Sequence, residues 1–149
     1  RIFNCDCSSD VCSSYLKSAV CRMLSGLKPT FSMKTGLDPN LLSHDQEIVR
    51  NYVNDPLVHG VASARFFTEL LHAEEETIRD ARKLTLPCLI MQGSGDGIVD
   101  PAATKDFFKG VASADKTLKV YDGLYHEVLN EPEKEDILRE ISAWLSART

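Results

Sequence analysis

No uninterrupted apolar run in these 149 residues approaches the roughly 20 needed to cross a bilayer. The start of the chain also lacks the charged-then-apolar pattern of a secretory signal. The expectation is therefore a soluble, cytoplasmic protein. Cationic charge is in deficit: 17 Lys and Arg stand against 22 Asp and Glu, for a net charge of −5. That balance speaks against nucleic acid, whose binders cluster Lys and Arg on one face. Cysteine is present but badly spaced for metal, since Cys5, Cys7, Cys12 and Cys21 contain no Cys-x2-Cys unit of the zinc type. With Cys88 the count is odd, which argues against a tidy disulfide framework and for a reducing compartment. There is no Gly-Lys-Ser/Thr for a nucleoside triphosphate.

What is present is enough for one real core, with 43% hydrophobic residues. Three stretches differ in texture. Residues 1–16 include Cys7-Ser8-Ser9-Asp10-Val11-Cys12-Ser13-Ser14, a Cys-Ser-Ser repeat with no helix or strand pattern. This stretch resembles translated sequencing-adapter sequence, so 1–16 is set aside as a non-native scar or a disordered loop. Residues 17–84 read as helices only, and residues 85–149 as alternating strand and helix.

In the middle stretch Val20, Met23, Leu24 and Leu27 fall at helical spacing and stop at Gly26 and Pro29. Phe31 to Leu42 is rich in turn formers and reads as an irregular connection. A second helix opens at Ser43 or Asp45 as cap, carries Ile48, Val49 and Val53, and closes at Asp55-Pro56. A third runs from about Val61 to Lys83 with Phe67, Leu70, Leu71, Ile78 and Ala81 on one side and Glu74, Glu75 and Glu76 opposite.

Pro87-Cys88-Leu89-Ile90-Met91 then reads as a strand covered on both faces. Asp100-Pro101 starts a helix that Gly110 stops. Thr117 to Tyr121 alternates like a strand nearer the sheet edge. A last helix follows Pro132, with Ile137, Leu138, Ile141, Trp144 and Leu145 as its buried face. This order implies two adjacent parallel strands joined by a right-handed crossover.

Functional residues of parallel sheets gather beyond the carboxyl ends of the strands. Asp96 follows the first strand and His126 the second, so neighbouring strands would set a carboxylate beside an imidazole. In that geometry Asp96 orients His126, and His126 acts as general base and then general acid. Singly, each has a plainer reading: Asp96 as a turn residue and His126 as a satisfied polar group. The acid and base of a serine hydrolase usually follow a Gly-x-Ser-x-Gly nucleophile elbow, and that motif is absent from the chain. Gly93-Ser94-Gly95-Asp96-Gly97-Ile98 raises phosphate binding as a rival, but Ile98 stands where a dinucleotide fingerprint needs Gly. His72 and Glu76 have the i, i+4 spacing of two metal ligands without a third, and His44 and His59 receive no role.

Leu86 to Asp100, then Asp115 to Glu127, resemble the acid and histidine motifs of the monoacylglycerol lipase and lysophospholipase family of α/β hydrolases. Leu129-Asn130-Glu131-Pro132, Ala143-Trp144-Leu145 and Asp55-Pro56-Leu57-Val58 are similar to that family too. The resemblance implies the C-terminal part of an α/β-hydrolase fold: a helical cap segment, then two parallel strands with flanking helices. It implies Asp96 and His126 as triad acid and base, no cofactor, a lipid ester substrate, and a cap, Pro29 to Leu84, shaping an acyl tunnel. The nucleophile and oxyanion segments would belong to a missing N-terminal half, a partner for the exposed sheet edge. Transient membrane contact through Phe66 and Phe67 is a further expectation. Two alternatives stay open: an Asp-nucleophile epoxide hydrolase or dehalogenase, and a non-catalytic binding module.

Overall fold

The structure, a computed structural model, describes residues 11–148, with side chains from residue 19 onward. Its first part is helical. Helix α1 (Val11–Leu27) begins well before the expected Ser18 and takes in part of the Ser-rich stretch; residues 1–10 lie outside the described residues. The face it buries also differs from the expected apolar stripe. Val20, Met23 and Leu27 are exposed, while Cys21 and Ser25 are buried. Helix α1 lies against helix α3 (Ala64–Asp80), where Ser25 Oγ and Thr68 Oγ1 stand 3.0 Å apart in a hydrogen bond, while Cys21 Sγ meets Met33 Sδ at 3.9 Å.

Between them the supposed irregular connection contains strand β1 (Ser32–Lys34). It pairs antiparallel with β2 (Val61–Ser63), aligning Met33 with Ala62. Three-residue strands are too short to show an alternation, so periodicity alone misses them. Ser63 ends β2 and caps α3, its hydroxyl accepting from the Phe66 N–H. Phe67, Leu70 and Leu71 are half-buried and Ile78 is exposed, so only part of the expected α3 stripe is covered. Helix α2 (Gln46–Asn54) is capped by Asp45 and buries Val49, but Val53 points to solvent.

The second part matches the expected α/β order. Strand β3 (Cys88–Gly93), helix α4 (Pro101–Gly110), strand β4 (Lys116–Tyr121) and helix α5 (Lys134–Ser146) follow one another. Strands β3 and β4 are parallel, in a register that sets Cys88 against Lys116 and Gly93 against Tyr121. Asp100 caps α4 through the Ala102 N–H at 2.8 Å, with Pro101 in the first turn. Among the described residues β3 pairs with β4 alone, so Cys88 to Met91 are half-buried rather than covered on both faces.

The core under this sheet is Leu124, Val128 and Ile137, with Met91, Tyr121 and Ile141 against it. On α5 the covered stripe is buried Ile137 with half-buried Ile141 and Trp144, spaced four and then three residues apart, the rows of one helix face. Leu138 and Leu145 sit one position round from it and are exposed, contrary to the sequence pattern. Trp144 donates from Nε1 to Thr117 Oγ1, and Arg148 stacks over the indole while pairing with Asp115. The end of α5 is thereby tied to the start of β4.

Candidate active site

The register of β3 and β4 ends both strands at the same level, Gly93 against Tyr121, so the loops that follow meet. The acid loop (94–100) rests on the histidine loop (122–127) backbone to backbone. Ser94 N donates to Tyr121 O at 2.8 Å and Gly95 N to Leu124 O at 2.9 Å. Ser94 Oγ accepts from Gly123 N at 2.8 Å. Contact this close leaves no room for side chains. A Cβ on Gly93 would overlap the carbonyl oxygens of Leu124 and Tyr125, and one on Gly95 would stand 2.6 Å from that of Gly123. Gly123, at φ +74°, turns the histidine loop through a conformation that suits glycine.

Asp96 is almost fully buried, with 2% of its side chain exposed. Its Oδ1 accepts from the N–H groups of Ile98 and Val99 at 2.8 and 2.9 Å, closing the turn. Its Oδ2 accepts from His126 Nδ1 at 2.9 Å and from Gln92 Nε2 at 2.7 Å. The plain reading as a turn residue and the chemical one therefore describe the two oxygens of one carboxylate. Burial pushes this carboxyl up, but His126 and the N–H groups of Val99 and Ile98 outweigh it and hold it below its ordinary value. An ionised carboxylate only accepts, so Nδ1 of His126 carries the hydrogen.

His126 keeps 35% of its side chain exposed. Its Nε2 makes no hydrogen bond to another described residue. The hydrogen bond to Asp96 raises the imidazole above its ordinary value, burial opposes that, and the charges of Asp96 and Glu127 add to the rise. A neutral His126 in this tautomer has a lone pair on Nε2 and a carboxylate to stabilise the cation formed when it takes a proton.

The segment just before α2 reaches the same loop. His126 N donates to Leu41 O and Glu127 N to Leu42 O, at 3.3 and 2.8 Å. Glu131, fully buried, accepts from Tyr125 N at 2.6 Å, His44 N at 2.8 Å and Ser43 Oγ at 3.3 Å, and also receives the His44 ring. Burial pushes Glu131 up, and these donors more than offset it. His44, given no role from the sequence, stacks on Tyr125 with ring centroids 3.7 Å apart. Glu131 escaped sequence reading because its partners are up to 88 residues away. A signal for Gln92 was present: it is a polar residue closing an apolar strand at its carboxyl end. His72 and Glu76 stand 3.7 Å apart on an exposed face, and no group of three metal-ligand types forms among the described residues. His59 is exposed.

Two parallel strands whose following loops bring a carboxylate and a histidine together, with flanking helices, fit an α/β-hydrolase arrangement. Comparison with known proteins agrees: the family model described as Serine aminopeptidase, S33 matches residues 5–133, and the chain belongs to that family of α/β hydrolases. It is 37% identical to a monoacylglycerol lipase of Mycolicibacterium smegmatis, over 85% of this chain and 45% of the relative. It is 32% identical to phospholipase YtpA of Bacillus subtilis, over 81% of this chain and 47% of the relative. The crystal structure of Paleococcus ferrophilus monoacylglycerol lipase superposes with a TM-score of 0.84 at 30% identity, covering 90% of this chain and 52% of that one. The chain thus spans about half the length of these relatives.

Proposed function

We propose that this chain carries the acid and base of a serine ester hydrolase that cleaves long-chain acyl esters, of the monoacylglycerol lipase or lysophospholipase type. The observation that carries the reading is the 2.9 Å hydrogen bond from His126 Nδ1 to buried Asp96, with Nε2 bonded to no other described residue. His126 takes the proton of a nucleophilic serine, gives it to the leaving alcohol, and repeats the cycle with water. Asp96 holds the tautomer and stabilises the imidazolium. The serine and the backbone N–H groups that stabilise the oxyanion lie, in this reading, outside these 149 residues, and this chain alone does not turn over esters. Residues 17–84 serve as cap and lead-out helix, and residues 85–149 as part of the core.

The lipase and phospholipase names of the relatives support ester over epoxide or carbon–halogen chemistry. Among the described residues no helix is long and apolar enough to cross a membrane. Exposed Phe66 and Leu57 on the cap side support transient contact with a lipid surface, and the free thiols of Cys21 and Cys88 support a reducing compartment.

The test is a complete hydrolase containing this chain, assayed on monoacylglycerol with a fluorophosphonate probe alongside. The probe is expected to label a serine outside the 149 residues. H126A and D96N should each lower kcat/KM by about a thousandfold or more. Full activity in H126A would refute the reading.

A further inference from the structure

A polar group bonded directly to Asp96 that the triad reading leaves unused is Gln92, the last residue but one of β3, only 6% exposed. Its amide is fully engaged. Nε2 donates to Asp96 Oδ2 at 2.7 Å and to Gly93 O at 3.3 Å, and Oε1 accepts from Thr104 Oγ1 at 2.7 Å. Two hydrogens and one carbonyl oxygen are all satisfied, in a place where an orphan would be costly. The orientation is also forced. Turning the amide over would aim Oε1 at a carboxylate and a carbonyl, neither of which donates. The Thr104 hydroxyl, one turn into α4, gives Oε1 a donor on the opposite side.

We infer that Gln92, held by Thr104, is a positioning residue: it aims the Asp96 carboxylate at His126 Nδ1 and shares oxygen Oδ2 with it. The inference rests on the triad reading above and deepens it. Asp96 has a short side chain whose Oδ1 is committed to the turn, and the donor from Gln92 fixes the rotation that presents Oδ2 to the imidazole. Gln92 also draws on the same negative oxygen as His126. Without that neutral donor, Oδ2 keeps more charge for the imidazolium, and His126 holds its proton to higher pH. The other charge facing His126 is Glu127 on its own loop. On the cap side Leu41 offers only a carbonyl, and the His44–Glu131 pair lies beyond Tyr125.

The experiment is the pH dependence of kcat/KM in the complete hydrolase for T104V, T104S and Q92L, with H126A as reference. T104V is nearly isosteric, so it reports on the hydrogen bond even where Q92L folds poorly. T104V and Q92L are expected to move the acid-limb midpoint upward by about half a pH unit. They should lower kcat about tenfold with KM changed less than about twofold, because Gln92 does not face substrate. T104S restores the donor and should track the parent. A purely structural role would reduce the amplitude and leave the midpoint in place. Profiles of T104V and Q92L that superimpose on the parent, with H126A inactive, overturn this inference and spare the triad. An active H126A overturns both.

Discussion

Substituting Gly93 with Ala tests whether the contact between the acid and histidine loops sets the geometry of the site. The added Cβ would overlap two backbone carbonyl oxygens, those of Leu124 and Tyr125. Neither is a side chain that can rotate away. Relief requires the two loops to part by something on the order of 1 Å, the depth of such an overlap. That movement breaks the bonds from Ser94 N to Tyr121 O and from Gly95 N to Leu124 O, now 2.8 and 2.9 Å. At about 1 kcal/mol for each bond and about 1 to 3 kcal/mol of overpacking strain, the cost is about 3 to 5 kcal/mol. It also draws Asp96 away from His126, and a displacement of this size at a reacting centre costs about a hundredfold in rate.

Urea unfolding of the complete hydrolase and its kcat/KM measure both effects. The control is G26A: Gly26 lies near the end of α1, and a Cβ there meets nothing within 4 Å. That change should be neutral or stabilise by up to about 1 kcal/mol. G93A losing less than about 1 kcal/mol, with kcat/KM intact, would show that the loops are not held by this approach.

Three further outcomes follow from the same residues. Because His126 must be neutral to accept a proton and its hydrogen bond to Asp96 raises it, the acid limb of kcat/KM should have its midpoint above the ordinary value of 6.5; a midpoint below it contradicts the Asp96–His126 bond. Glu131 is held below its ordinary value of 4.5, so its stabilisation is complete above that pH and lost as pH falls through the lower folded value. E131Q should therefore be less stable than the parent at pH 7, by about 1 to 3 kcal/mol for the disturbed buried bonds, with a gap that narrows in acid; a gap independent of pH would sink the linkage. I137A should cost about 2 to 5 kcal/mol, whereas L138A, at a position 46% exposed, should cost under about 1 kcal/mol; equal costs in thermal or urea melts would show the α5 face to be misplaced.

The legible parts of this chain are those whose signals are local. Helix α4 announces itself with an N-cap, a proline in the first turn and a closing glycine within ten residues. Strands β3 and β4 are readable because a crossover of this length leaves little choice but a parallel pair, which places Asp96 and His126 in neighbouring loops. What stays hidden depends on distant partners. Strands β1 and β2 are three residues each and define each other only by pairing. The buried face of α1 is chosen by distant partners, α3 at Ser25 and Met33 of β1 at Cys21, so the more apolar stripe is left outside. Glycines 93 and 95 look like ordinary loop residues until the carbonyls they must clear, some thirty positions on, are in place.

The same distinction explains how the histidine loop is held. Locally it contributes only a left-handed Gly123 and a short turn, too little to fix an imidazole. The rest comes from three directions: the acid loop through Ser94 and Gly95, the segment before α2 through the carbonyls of Leu41 and Leu42, and Glu131 through the N–H of Tyr125. Glu131 simultaneously accepts from Ser43 and His44, so the Ser43–His44 segment and the residue beside His126 are anchored to one buried carboxylate. A shift of the backbone at Ser43 must then either break charge-assisted bonds to a buried carboxylate or carry the histidine loop with it. The position of the Ser43–His44 segment and the aim of His126 are thus mechanically joined through Glu131, and a substitution that loosens Glu131 should disturb turnover as well as stability.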